Sequence, residues 1–336
     1  MGLASLTLSL LAAEVILRAT TSPELYLDKR TDAYWRALER DSSAATREAA
    51  DIALDPLLGW RMKPGFEQAF VHHNSLGFRG TREYVPSSQA PRILALGDSF
   101  TYGLGVPDQS TYSAWLERIS GIEVINAGAN GYGIDQSLLM WETEGKRLQP
   151  SIVILGYCVD DFFRNALSVR EFPKPRFAFD AATQQYRLER PGGDDGRAAS
   201  GASEAILAAH SRVVRAIGWL LREARVKLGI IDEEAMAQRA RTSEYLLRRL
   251  HSSVIASGAR LLVVVIGHGI DGQPELSWIE DSIMAACRSN EIECLDLQEA
   301  RRGIDSTSFY IENGHFSEQG HRFAAQKIAQ LLGLGR

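Results

Sequence analysis

The chain has 336 residues, 45% of them hydrophobic and 24% charged, which suits one large α/β domain with additions or two domains. A formal net charge of -5 leaves no basic field, which argues against nucleic acid as a partner. Three cysteines, Cys158, Cys287 and Cys294, point to buried packing rather than a disulfide framework, and no Cys-x-x-Cys or His-Glu-x-x-His supports a zinc site.

Residues 2–17 are apolar apart from Glu14 and a few small polar side chains, and Arg18 closes the run. The run is short against the roughly 20 residues of a spanning helix and has no basic leader, so residues 1–20 read as an uncleaved membrane anchor, with an amphipathic segment as the alternative. Arg18, Lys29 and Arg30 all follow it and weakly favour a cytoplasmic domain.

Residues 21–90 read as a linker region. Tyr34, Trp35 and Leu38 recur at helical spacing before Ile52. Asp55-Pro56-Leu57-Leu58-Gly59-Trp60 and Asn74-Ser75-Leu76-Gly77-Phe78-Arg79-Gly80 then supply turn chemistry around a small hairpin. His72 and His73 on that hairpin point to opposite faces and read as surface residues, not a metal pair.

From residue 91 to 336 strands alternate with helices, which predicts a three-layer α/β/α sandwich around a mostly parallel five-stranded sheet. The predicted strands are Ile93–Leu96, Glu123–Ile125, Ile152–Tyr157, Arg260–Ile266 and Glu293–Leu297. The predicted helices are Thr111–Ile119, Gln136–Arg147, Ser243–Ala256, Trp278–Arg288 and Glu318–Leu332. An insertion over about 168–234 carries a hairpin-like run, Phe177 to Leu188, and an amphipathic helix marked by Ile206, Val213, Ile217, Leu220 and Leu221. It follows the third strand, where it can wall the site, cover the sheet or meet a partner.

The chemistry gathers at strand ends. In Gly97-Asp98-Ser99-Phe100-Thr101 the serine emerges at the carboxyl end of the first sheet strand, where open α/β sheets place ligands. A serine hydroxyl needs a base and an acid that orients it. His315 stands before the last helix with Glu312 three residues earlier, a spacing that can put acid and imidazole side by side on one loop. His321 lies inside that helix and reads as structural, as do His210 and His251 in helical stretches. Asp98, Asn130 and His268 are candidate substrate contacts.

These blocks resemble those of the SGNH, or GDSL-like, hydrolases over roughly Arg92 to Leu332. The resemblance implies a flavodoxin-like fold, a serine esterase working without a cofactor, and an ester of a small molecule or glycan as substrate. It implies Ser99 as nucleophile, His315 as base, Glu312 in place of the usual aspartate, and an oxyanion hole from Ser99 and Gly131, with Gly128 as the fallback. Asp160 stands where the family carries an asparagine that donates to the oxyanion. An ionised carboxylate ~3 Å from an oxyanion opposes it by about 5 kcal/mol at an effective dielectric of about 20. Activity then requires a neutral Asp160 buried beside Asp161, a turned-away Asp160, or a donor from Asn130 or Asn165.

Residues 2–18 together with Leu58-Gly59-Trp60 and Gly77-Phe78-Arg79-Gly80 further resemble membrane-anchored bacterial members linked to surface-polysaccharide modification. That implies an extracytoplasmic protein, with a polysaccharide O-acetyltransferase as the enzymatic alternative. A non-catalytic binding or scaffold protein is the alternative that Asp160 raises.

Overall fold

The computed structural model describes residues 9, 12–16, 51–85, 90–170, 172–191, 233–267, 277–305, 307–311 and 314–335. Two small antiparallel hairpins come first, β1 (Ile52–Asp55) with β2 (Gly59–Met62), and β3 (Glu67–Gln68) with β4 (Val71–His72). The first turn is set by Asp55, whose Oδ1 accepts the N–H groups of Leu57 and Leu58 at 2.8 Å each. Gly59 closes it at φ +81°, where a Cβ would run into the carbonyl of Pro173.

The central domain follows as β5 (Arg92–Gly97), α1 (Ser99–Tyr102), α2 (Tyr112–Ser120), β6 (Glu123–Asn126), α3 (Ile134–Thr143), β7 (Ile152–Cys158) and α4 (Asp161–Arg164). It continues with the hairpin β8 (Arg176–Asp180) and β9 (Gln185–Glu189), then α5 (Glu233–Ala256), β10 (Arg260–Ile266), α6 (Ser277–Ser289), β11 (Glu293–Asp296), α7 (Leu297–Ala300) and α8 (Glu318–Leu332). Five of these strands form one sheet in the order β11-β10-β7-β5-β6, all parallel. Every residue of β5 and β7 is buried, as expected of strands covered on both faces. Helix α2 packs with α8, while α3 and α6 flank α5. The strand order reverses between β5 and β7, so the crevice for a ligand opens at their carboxyl ends.

The hairpin β8–β9 is laid on α5, with Tyr186 stacked on Tyr245 at 4.1 Å and Phe177 tilted against Tyr245. Its entry is pinned by Lys174, fully buried and ion-paired with the equally buried Asp135 of α3. The helix predicted around Ile206 to Leu221 and the connecting helix before Ile52 lie outside the described residues. Among the described residues no helix is long and apolar enough to cross a membrane.

Two expectations need correction. His73 is buried, not on the surface: its Nδ1 meets the Lys63 carbonyl and its Nε2 the Tyr102 hydroxyl, each at 2.9 Å. Adjacent strand residues face opposite sides, and the hairpin lies against the domain, so one histidine had to point inward; burial pushes its pKa down. Cys287 and Cys294 form a disulfide, Cα to Cα 6.3 Å, because the end of α6 turns straight into β11 and brings the two together. Cys158 is the buried thiol that was expected.

Candidate active site

Gly97 ends β5 at φ +145°, where a Cβ would sit 2.7 Å from the Gly156 carbonyl of β7 and collide with the Thr101 hydroxyl. That close approach lets the chain turn at once into α1. Asp98 caps the turn, its Oδ1 accepting the Phe100 N–H at 2.9 Å. Ser99 thus becomes the first residue of α1, above the carboxyl end of the sheet.

The loop ahead of α8 brings in His315. The Ile311 N–H donates to the His315 carbonyl at 2.8 Å, and Tyr310 bridges to Phe316. The imidazole stacks on Phe100, centroids 5.0 Å apart, and its Nε2 lies 2.8 Å from Ser99 Oγ. Glu312 and His268 lie outside the described residues. His321, by contrast, is buried in α8, and its Nδ1 accepts the Tyr112 N–H at 3.1 Å, the structural role expected of it.

After β6 the chain passes beside the nucleophile. The Ala129 N–H donates to the Gly97 carbonyl at 3.0 Å. The Gly128 N–H is already given to Asn126 Oδ1 at 3.0 Å, whereas Gly131 sits at φ +79°. Among the described residues the N–H groups of Ser99 and Gly131 have no acceptor, so neither is spent within the fold. Asn130 is only 5% exposed, and among the described residues neither atom of its amide finds a partner.

The first hairpin buttresses this loop, a role that periodicity could not reveal. The Trp60 indole N–H donates to the Asn130 carbonyl at 2.9 Å, and the Tyr132 hydroxyl donates to the Trp60 carbonyl at 2.6 Å. Arg79 donates its backbone N–H to Asn126 and its Nη2 to the Val106 carbonyl at 2.7 Å; it also pairs with Asp108 and covers the Tyr102 ring. The only hint in the sequence is the pair of turn motifs that carry Trp60 and Arg79.

The block after β7 differs from the buried-acid expectation. Asp160 has a side chain 37% exposed, and its Oδ2 lies 3.4 Å from Arg164 Nη2. Asp161 is the buried acid: its Oδ1 takes Arg164 Nη1 at 2.8 Å and its Oδ2 accepts the Cys158 N–H at 3.2 Å. Burial and the nearby Asp98 push the Asp161 pKa up, against the pull of Arg164. Asn165 is spent, its Oδ1 accepting the Ile134 N–H at 2.9 Å and its Nδ2 donating to Ser243 at 3.3 Å.

The model of the GDSL-like lipase/acylhydrolase family matches residues 95–323, most of the chain, with Ser99, Gly131, Asp160 and His315 inside the match. The chain belongs to the GDSL-like lipase/acylhydrolase family. No curated protein matches it. Among solved structures it is similar to a protein of the lipolytic G-D-S-L family from Desulfitobacterium hafniense DCB-2, at 11% identity over 71% of this chain and 98% of that one, TM-score 0.44. It is also similar to TesA, at 13% identity over 72% of this chain and 97% of that one, TM-score 0.44. A catalytic variant of Axe2, an acetylxylan esterase from Geobacillus stearothermophilus, matches at 13% identity over 73% and 94%, TM-score 0.43. For a GDSL-like acylhydrolase the five-stranded parallel sheet is the expected frame, and it places the Gly-Asp-Ser turn at its switch point.

Proposed function

We propose that this GDSL-like acylhydrolase is a serine esterase, a carboxylic ester hydrolase that works through an acyl-enzyme. The contact that carries the reading is Ser99 Oγ to His315 Nε2 at 2.8 Å, within reach for proton transfer. Ser99 Oγ attacks the ester carbonyl carbon as its proton passes to His315 Nε2. The N–H groups of Ser99 and Gly131 receive the oxyanion. Collapse of the intermediate expels the alkoxide, which takes the proton from His315. Water then attacks the acyl carbon, giving its proton to His315, and Ser99 leaves with that proton restored. Glu312 is assigned to orient His315 from the Nδ1 side, on sequence spacing alone.

For the substrate we propose an acyl ester, foremost an acetyl ester, of a glycan or lipid. For the location we propose an extracytoplasmic membrane surface reached through residues 1–20. Both rest on the resemblance in the N-terminal motifs, two of which supply Trp60 and Arg79 to the site.

A serine-directed fluorophosphonate probe tests the chemistry. Labelling is expected on Ser99, absent in Ser99→Ala, and slowed by about 10³-fold or more in His315→Ala. If the full-length protein stays unlabelled while a control esterase reacts, the esterase reading is wrong and a binding role replaces it.

A further inference from the structure

At the carboxyl ends of β5 and β7 three carboxylates, those of Asp98, Asp160 and Asp161, converge on the single guanidinium of Arg164. Its Nη1 donates to Asp98 Oδ2 at 2.7 Å, to Asp161 Oδ1 at 2.8 Å and to the Tyr132 carbonyl at 3.2 Å. Its Nη2 is left for Asp160 Oδ2 at 3.4 Å. One side chain therefore touches the cap of the nucleophile turn, the residue after Gly131, and the residue at the family's asparagine position. An unopposed carboxylate at that position would slow acyl transfer by about four orders of magnitude, given the repulsion of like charges ~3 Å apart.

We infer that Arg164 is a positioning residue for the ester chemistry: it draws the Asp160 carboxylate off the oxyanion position and offsets its charge, while Nη1 holds Asp98 as cap of the Ser99 turn. The inference rests on the esterase reading above. A guanidinium suits the task because its planar fork can serve several carboxylates at once, whereas an ammonium is a point charge. Asp160 is reached from the open side of the crevice, and Asp98 and Asp161 from the buried side. The charge of the fork is thereby shared between the fold and the site.

The test is a double-mutant cycle in the full-length protein with Arg164→Lys and Asp160→Asn, read by ester hydrolysis and by the rate of fluorophosphonate labelling. Arg164→Lys keeps a cation among the buried acids but cannot reach all three. It is expected to lower kcat by about 100-fold with little change in KM, and Asp160→Asn is expected to recover at least about tenfold in that background while gaining less than about tenfold alone. Damage that is only structural would not be rescued, since Asp160→Asn leaves the Asp98 and Asp161 contacts as they are. An equal gain in both backgrounds would overturn the inference, and so would wild-type kcat in Arg164→Lys. If Arg164→Lys does not fold, Asp160→Asn alone decides: a gain above about tenfold shows an unmasked carboxylate and overturns the inference, a smaller one supports it. A wild-type protein that neither hydrolyses esters nor labels at Ser99 refutes the esterase reading instead.

Discussion

Replacing His321 by asparagine should remove much of the protein's sensitivity to mild acid. The ring is 1% exposed in α8, lies against Tyr112 and Phe316, and accepts the Tyr112 N–H at Nδ1. A protonated ring would lose that acceptor and become a buried cation. Burial, with the charges of Arg79 and His315 adding to it, pushes the pKa from 6.5 down to about 3. Between those values the unfolded chain holds a proton that the folded chain does not. The stability that neutral His321 contributes is therefore complete above pH 6.5 and is lost as pH falls toward about 3. At about 1.4 kcal/mol per pH unit the full gap comes to about 5 kcal/mol. Asparagine keeps a carbonyl oxygen near the place of Nδ1 and does not titrate. Urea unfolding of both proteins from about pH 7 to about pH 4.5 should show the variant less stable at neutral pH, with the difference shrinking by about 1.4 kcal/mol per unit below pH 6.5. Parallel stability curves for the two proteins would refute the assignment of that acid loss to His321.

Two further outcomes follow from buried polar groups. Lys174→Met leaves the Asp135 carboxylate buried without its cation and should cost about 3 to 5 kcal/mol, most of it regained when Asp135→Leu is added; urea unfolding of the single and double variants checks this. Asn130→Leu removes an amide that no described residue satisfies, so thermal or urea unfolding should show a gain of about 1 kcal/mol or more. Ester turnover should fall in the same variant if the amide meets substrate; a loss of stability with unchanged turnover would show that Asn130 serves the fold alone.

Most of the frame is legible in the sequence. The strand at Arg260–Ile266 and the helix at Glu318–Leu332 fall where the apolar period places them, and the other sheet strands differ by one or two residues. The helix predicted at Gln136–Arg147 instead runs Ile134–Thr143 and gives way to a 3₁₀ turn from Gly145, a poor helix former at a place where a Cβ would press on Leu94 and Trp141. The helix predicted from Ser243 extends further toward the N-terminus, over Glu233–Ala256, its first turns being too charged for a clear apolar period.

The candidate site divides along the same line. Ser99 and His315 are legible because a strand end and a loop ahead of a helix are local signals, Gly131 only through the family resemblance, and the fold brings Ser99 and His315 together. Trp60, Arg79 and His73 are not, since each acts on a segment far from it in the chain; Arg164 is not either, because besides its neighbours Asp160 and Asp161 it reaches back to Asp98 and Tyr132. Local sequence by itself determined the order and kind of the elements, because hydrophobic period and turn chemistry depend on near neighbours. Only the tertiary structure decided which of the two adjacent acids is buried, which cysteines pair, and where the Asp160 carboxylate turns: buried charges and thiols take partners by proximity in space, and in this protein the hub of that proximity is Arg164.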